Sequence, residues 1–397
     1  MRISYKNINL IGLVLLFIIF VYTPQFIVFG GVINTLYVFP LISIYILIKN
    51  NYKLKFPSWL LAILIIQFLF FIIMSLYNGY LETFFLKEIF IFPFIFITGQ
   101  FLYDRIKKLN YSNHDLVKFI MIALFINFLI IIVFSVFREL NTYLHSFINI
   151  TPKQFKYIYD TTWIRHSGIS VSGFSNLSFK AATLYCIVFA YFIKKNKISI
   201  NFILLSLILI IANIFVARTG LLMIIFLFMI YMFLKFKDLF KVLLAFIIIG
   251  FFSFSFFLNF EKDFILLDSF YRTFDILFLD NFMDDQTIRT LVYESEENQT
   301  KNILLGDGDF GRTRGLISDI GYISFLKGGG LIGLIILTLH YWIPALIFHK
   351  NYKSWKFLAL LLVLFSIFLF NFKDLAFLSH GYIQAFVLVI ILNKKNE

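Results

Sequence analysis

The sequence predicts an all-α integral membrane protein that crosses a bilayer about twelve times, and three observations carry that expectation. The chain of 397 residues is 60% hydrophobic and only 14% charged, with a mean hydropathy of +0.89, a balance far from that of a soluble domain. Apolar spans with few charges recur from end to end, each about long enough to cross a hydrocarbon core of roughly 30 Å at 1.5 Å per residue. Segments such as Ile203 to Ala217 and Phe357 to Phe370 are apolar on nearly all sides, which excludes the alternating pattern of a membrane β-barrel. Lipid offers no water to an open backbone, so helices are the remaining way across.

Taken in order, the expected spans are residues 8 to 23, 26 to 48, 59 to 77, 84 to 103, 116 to 137, 176 to 193, 198 to 216, 219 to 234, 241 to 258, 319 to 347, 357 to 371 and 375 to 392. The first is read as a helix rather than a signal peptide, because no small-residue cleavage site follows it and the next span begins almost at once. An even count places both termini on one side. Basic residues decide which side that is. With the N-terminus in the cytoplasm, the inner connections read KNNYKLK, DRIKKLN, KKNK, KFKDLFK and HKNYKSWK, and the inner tail reads NKKNE. The inner segments then hold 20 Lys and Arg against 4 acids, and the outer segments hold 15 against 18. The net charge of +13 therefore reflects topology and not nucleic-acid binding.

The whole of 1–397 reads as one polytopic membrane domain with two long external loops, at 138–175 and 259–318. The lone Cys186 rules out an internal disulfide and offers no metal cluster.

Arginine runs against the lysine bias. Seven of nine arginines, at 138, 165, 218, 272, 289, 312 and 314, fall outside. A planar fork that stays charged suits phosphate or pyrophosphate oxygens. Arg138, Arg272 and Arg289 read as partners of the outer acids. Arg218 is different, since VARTGLL holds it at the rim of a tight helical hairpin, where a charge without a role is costly. Arg165 lies in WIRHSGISVSGFSN, where Gly168, Gly173 and small polar residues let a backbone approach a ligand and then start a helix. His166 beside it is an auxiliary contact.

The third constellation is LLGDGDFGRTRGLISDIGYISFLKGGGLIGLI, residues 304 to 335. Arg312 and Arg314 give two close cations, and Asp319, with Tyr322 and Ser318 nearby, falls near the outer mouth of the tenth span as a candidate general base. Gly328, Gly329, Gly330 and Gly333 suit close helix packing. Asp307 and Asp309 form a D-x-D, but the run lacks the acids and the twelfth-position Glu of a calcium loop, so no metal site is expected. The six histidines show no metal-ligand spacing.

These segments, in this order and on one side, resemble the O-antigen polymerase (Wzy) and ligase superfamily. The correspondence runs through Arg165 with Gly168 and SGFSN, then Arg218-Thr219-Gly220, then Gly306 and Gly308, then Asp319 before Gly321-Tyr322. The proline usual in the first motif is absent. The ligase branch usually carries a His where Asp319 stands, which favours polymerase.

The resemblance implies a glycosyltransferase of the polytopic C-type architecture in a bacterial plasma (inner) membrane, working at its external face without metal, nucleotide or other cofactor. Undecaprenyl-pyrophosphate-linked oligosaccharide would be both donor and acceptor, with membrane lipids, a flippase and a chain-length regulator as further partners. Asp319, Arg218 and Arg165 would be catalytic, with Arg312, Arg314, Lys180, His166 and Tyr322 binding substrate. Trp163, Tyr157 and Tyr159 are suited to stack on sugars. A transporter is the rival from another class and would need ionisable or helix-breaking residues near the midplane of two related halves. Lys327 is its main support.

Overall fold

The computed structural model describes residues 5–29, 31–49, 57–79, 83–150, 168–170, 174–195, 199–235, 303–306, 321–372 and 380–393. This described chain is mostly helical. In order it runs α1 (Tyr5–Tyr22), a hairpin of β1 (Gln25–Val28) and β2 (Gly31–Asn34), α2 (Thr35–Lys49), α3 (Ser58–Asn78), α4 (Thr83–Lys108), α5 (Asn113–Val136) and a short α6 (Asn141–Phe147). It continues with α7 (Phe174–Ile193), α8 (Ile200–Ile214), α9 (Arg218–Leu234), α10 (Gly321–Phe348), α11 (Trp355–Phe370) and α12 (His380–Asn393). Among the described residues, five stretches are long and apolar enough to cross a membrane: Ser58–Tyr77, Ile89–Lys108, Asn113–Val136, Asn176–Ile193 and Tyr322–Asn351. Shorter apolar helices stand at six of the other expected spans, and the ninth, 241–258, lies outside the described residues.

One expected span is corrected. Residues 26 to 48 do not form a single helix, because β1 and β2 pair antiparallel from Gln25 with Asn34 to Val28 with Gly31, and helix begins only at Thr35. Phe29, at φ 49°, opens the two-residue turn, and Val28, Val32 and Ile33 supply β-branched side chains that sit readily in a strand. The hairpin also reaches the segment after α6: Phe26 bridges Ile148, Asn149 N–H donates to Gln25 O at 2.8 Å, and Asn149 Nδ2 donates to Gln25 Oε1 at 3.0 Å. Two connections expected on the same face are thus joined.

The chain divides into two compact units, Met1–Asn34 with Asn113–Asp280, and Thr35–Ser112 with Asn281–Glu397. No linker in the sequence marks the division. Each unit is built around one helix that is buried on all sides, its few polar side chains included. In the first unit this is α7, whose residues from Leu177 to Ala190 are buried without a break and pack against α5, α8 and α9. In the second it is α12, buried from Tyr382 to Leu392 against α4 and α11.

Polar ties fix the second unit's other helices. Gln67 Nε2 of α3 donates to His340 Nδ1 at 3.0 Å, with the Ile336 and Leu337 carbonyls of α10 at 3.3 Å each. Gly333 lies against the Phe70 ring, where a Cβ would come within 2.9 Å of Cζ, so this glycine does serve close helix packing.

Candidate functional site

In the first unit α7 and α9 run parallel, and bonds at both ends set that direction. Near their N-termini, Ser178 Oγ bonds with Asn213 Oδ1 at 2.6 Å and with Ala217 O at 2.8 Å. Gly220 is pressed so closely on α7 that a Cβ would lie 2.3 Å from Ser178 O. Near their C-termini, Lys235 Nζ donates to Lys195 O at 2.5 Å. Arg218, the first residue of α9, therefore begins its helix beside the first turns of α7. Its side chain lies outside the described atoms.

The segment that follows Arg165 is anchored in the same unit. Ile169 N–H donates to Asn127 Oδ1 of α5 at 2.9 Å. Gly168 adopts φ 58° and lies so near Asn127 that a Cβ would sit 2.3 Å from Oδ1, which explains glycine there on two grounds. Ser170 is buried, and so is the Asn176 Oδ1 in the first turn of α7, which has no hydrogen-bond partner among the described residues. Arg165 and His166 themselves lie outside the described residues.

Lys180, two residues after Ser178, is only 1% exposed. Its Nζ donates to Val21 O, the penultimate carbonyl of α1, at 2.6 Å and stands 5.9 Å from the Tyr22 ring centroid. A cation in that position ties the end of α1 to the start of α7. The sequence suggested that it meets substrate oxygens, and the structure gives it this protein partner.

The second unit contributes a different frame. α10 is interrupted at Gly330, where φ is 61° and ψ is −165°. Residues 303 to 306 dock into the break: Leu331 N–H donates to Ile303 O at 2.9 Å, and Ile332 N–H to Leu304 O at 3.1 Å. These bonds satisfy N–H groups that the interrupted helix leaves open. Gly306 meets the Gly328 to Gly330 backbone, where a Cβ would lie 2.5 Å from Gly330 N. The glycine run thus has two uses, a helix break at Gly330 and packing at Gly333. Tyr322 closes the start of α10 against the end of α11, its hydroxyl donating to Phe368 O at 2.9 Å and its N–H to Asn371 O at 3.2 Å. Asp319, Arg312 and Arg314, with the D-x-D of Asp307 and Asp309, lie outside the described residues.

Sequence reasoning missed Asn127, Ser178 and Asn213, the residues that hold this frame. Their signal is a polar side chain inside an apolar span, as in ALFINFLI and IIANIF, where lipid would leave it unpaired. No family model matches the chain, and it matches neither a curated protein nor a solved structure.

Proposed function

We propose that this protein is a metal-independent glycosyltransferase that polymerises undecaprenyl-pyrophosphate-linked repeat units at the outer face of a bacterial plasma membrane. The observation that carries the reading is the parallel pair α7 and α9. Their N-termini, the positive ends of two helix dipoles, lie side by side, and one of them begins at an arginine. That is a place for an anion, and Lys195 and Lys235 meet at the other end of the same helices. On this reading the chain crosses the bilayer twelve times, with its lysine-rich end and both termini in the cytoplasm.

The acceptor hydroxyl oxygen attacks the anomeric carbon of the donor. The bond from that carbon to the pyrophosphate oxygen breaks, and the leaving pyrophosphate takes the electron pair. Arg218 and Arg165 meet its growing charge, with the α7 N-terminus behind them. Asp319 accepts the hydroxyl proton. Arg312, Arg314 and His166 hold further phosphate or sugar oxygens, and Tyr322 fixes the start of α10 through its bond to Phe368 O. Lys180 acts from behind, fixing the first turns of α7 through Val21.

The test is reconstitution of the purified chain with a defined lipid-linked repeat unit, followed by chain-length analysis. A ladder of products formed in the presence of EDTA is expected. Transfer of a single glycan to a different acceptor would make the chain a ligase. A transporter draws on one observation, the break of α10 at Gly330 three residues after Lys327. Movement of intact repeat units across the vesicle membrane, with no new glycosidic bond, would establish that reading instead.

A further inference from the structure

At the lysine-rich end of the first unit, a groove of about 410 Å³ opens between α5 and α8 and meets the end of α7. Its mouth is polar and cationic, formed by His114, Lys118, Lys195, Ser199 and Asn201. Its floor is apolar. Met121, Ile122 and Phe125 continue the Lys118 face of α5 at helical spacing, so the floor runs about 10 Å inward from the lysine at 1.5 Å per residue. Leu204 and Leu205 of α8 form the facing wall. Ile122, Phe125 and Leu204 are 37%, 38% and 42% exposed, so the groove is open along one side.

Among the described residues at the mouth, Lys118 and Lys195 face one acid, Asp115, whose Oδ1 takes Lys118 Nζ at 3.2 Å. Lys195 leans over the Tyr191 ring, 4.6 Å from its centroid, and its carbonyl receives Lys235. Tyr191 Oη is hydrogen-bonded to His114 Nδ1, so the imidazole is fixed at the mouth. Two ammonium groups above an apolar trough match an amphiphile with a phosphate at one end, whereas a soluble anion would leave the trough empty.

We propose that this groove holds an anionic phospholipid, with its phosphate between Lys118 and Lys195 and one acyl chain along Ile122, Phe125 and Leu204. The Asn201 amide and the Ser199 hydroxyl are neutral donors to the same headgroup. A cavity of this size falls in the range of about 300–1,000 Å³ that small ligands occupy. The site does not depend on the glycosyltransferase reading. Its leaflet follows from the orientation proposed above, but its headgroup preference does not.

Native mass spectrometry of the full chain in detergent tests this, with dioleoyl phosphatidylglycerol and dioleoyl phosphatidylcholine in competition. Each lysine near a membrane surface is worth about fivefold in affinity for anionic lipid, so a preference of roughly tenfold to thirtyfold for phosphatidylglycerol is expected. Lys118→Gln with Lys195→Gln should bring the preference close to one, and Lys118→Arg with Lys195→Arg should keep it. Lys350→Gln with Lys353→Gln, in the other unit, should leave it unchanged. Equal binding of the two lipids by the native chain would overturn the proposal, and so would equal loss in the control pair. If the Gln pair loses its helical circular dichroism, Leu204→Trp decides: filling the trough must release phosphatidylglycerol with both lysines in place, and retention overturns the site.

Discussion

The two units set glycine against backbone in opposite ways. In the first, Gly220 lets α9 come flush against α7, so two unbroken helices share one starting level. In the second, Gly330 interrupts α10, and the gap is filled by the 303 to 306 segment, whose carbonyls take the freed N–H groups. A close approach without a break aligns helix dipoles, whereas a break with a docked loop builds a turn of fixed shape. The difference teaches that one residue type serves two ends, an aligned pair of helix N-termini in the first unit and a turn of fixed shape in the second.

The largest effect expected from this comparison is on chemistry. If Arg165 meets the leaving pyrophosphate as proposed, Arg165→Ala should cost about 100-fold to 1000-fold in polymerisation rate at matched protein level. Arg165→Lys should recover only part of it, because an ammonium keeps the charge and loses the bidentate fork. Equal activity from the Lys variant would show that charge alone is needed there.

Stability separates the two glycines next. Gly330→Ala must place a side chain at φ 61° and ψ −165°, with its Cβ 2.3 Å from Leu304 O. Backbone strain and overpacking together predict roughly 2 to 6 kcal/mol of destabilisation, read as a marked fall in thermal midpoint in detergent. Gly220→Ala meets Ser178 O at the same 2.3 Å but keeps an ordinary helical backbone, so roughly 1 to 3 kcal/mol is expected. If the two variants melt alike, the backbone strain assigned to the α10 break is absent.

Topology sharpens the same contrast without touching the site. Cysteines introduced near 155 and 290 should label from outside, and those near 108, 195 and 353 from inside. Residues 155 and 290 on opposite faces would separate the arginines from the proposed base. The smallest effect is expected at the D-x-D. Asp307→Asn with Asp309→Asn should retain most activity, and so should the native chain in EDTA, because the ligand spacing there is poor.

Much of this fold is legible in the sequence because lipid imposes one rule on every span. The apolar runs that begin near 59, 84, 116, 176 and 319 become helices within a few residues of their expected bounds. The hairpin at 25 to 34 was not legible, since an apolar run rich in Val and Ile reads equally as strand or helix. Gly30-Gly31 was the available signal, and it sits inside what looked like a continuous span. The site was legible only as a set of motifs. What binds them is tertiary: Ser178 with Gly220, and Asn127 with Gly168, are 42 and about 40 residues apart in sequence, and no local pattern pairs them.

The most direct test of the central claim is polymer length in a deletion strain complemented with Arg218→Ala or Asp319→Asn. The first variant removes the charge at the head of α9, and the second keeps the shape and polarity of Asp319 while removing the proposed base. With native levels of protein in the membrane, both should leave single lipid-linked repeat units on the outer face and little polymer, a loss of at least about 100-fold. Polymer of normal length and amount from both variants would contradict the account.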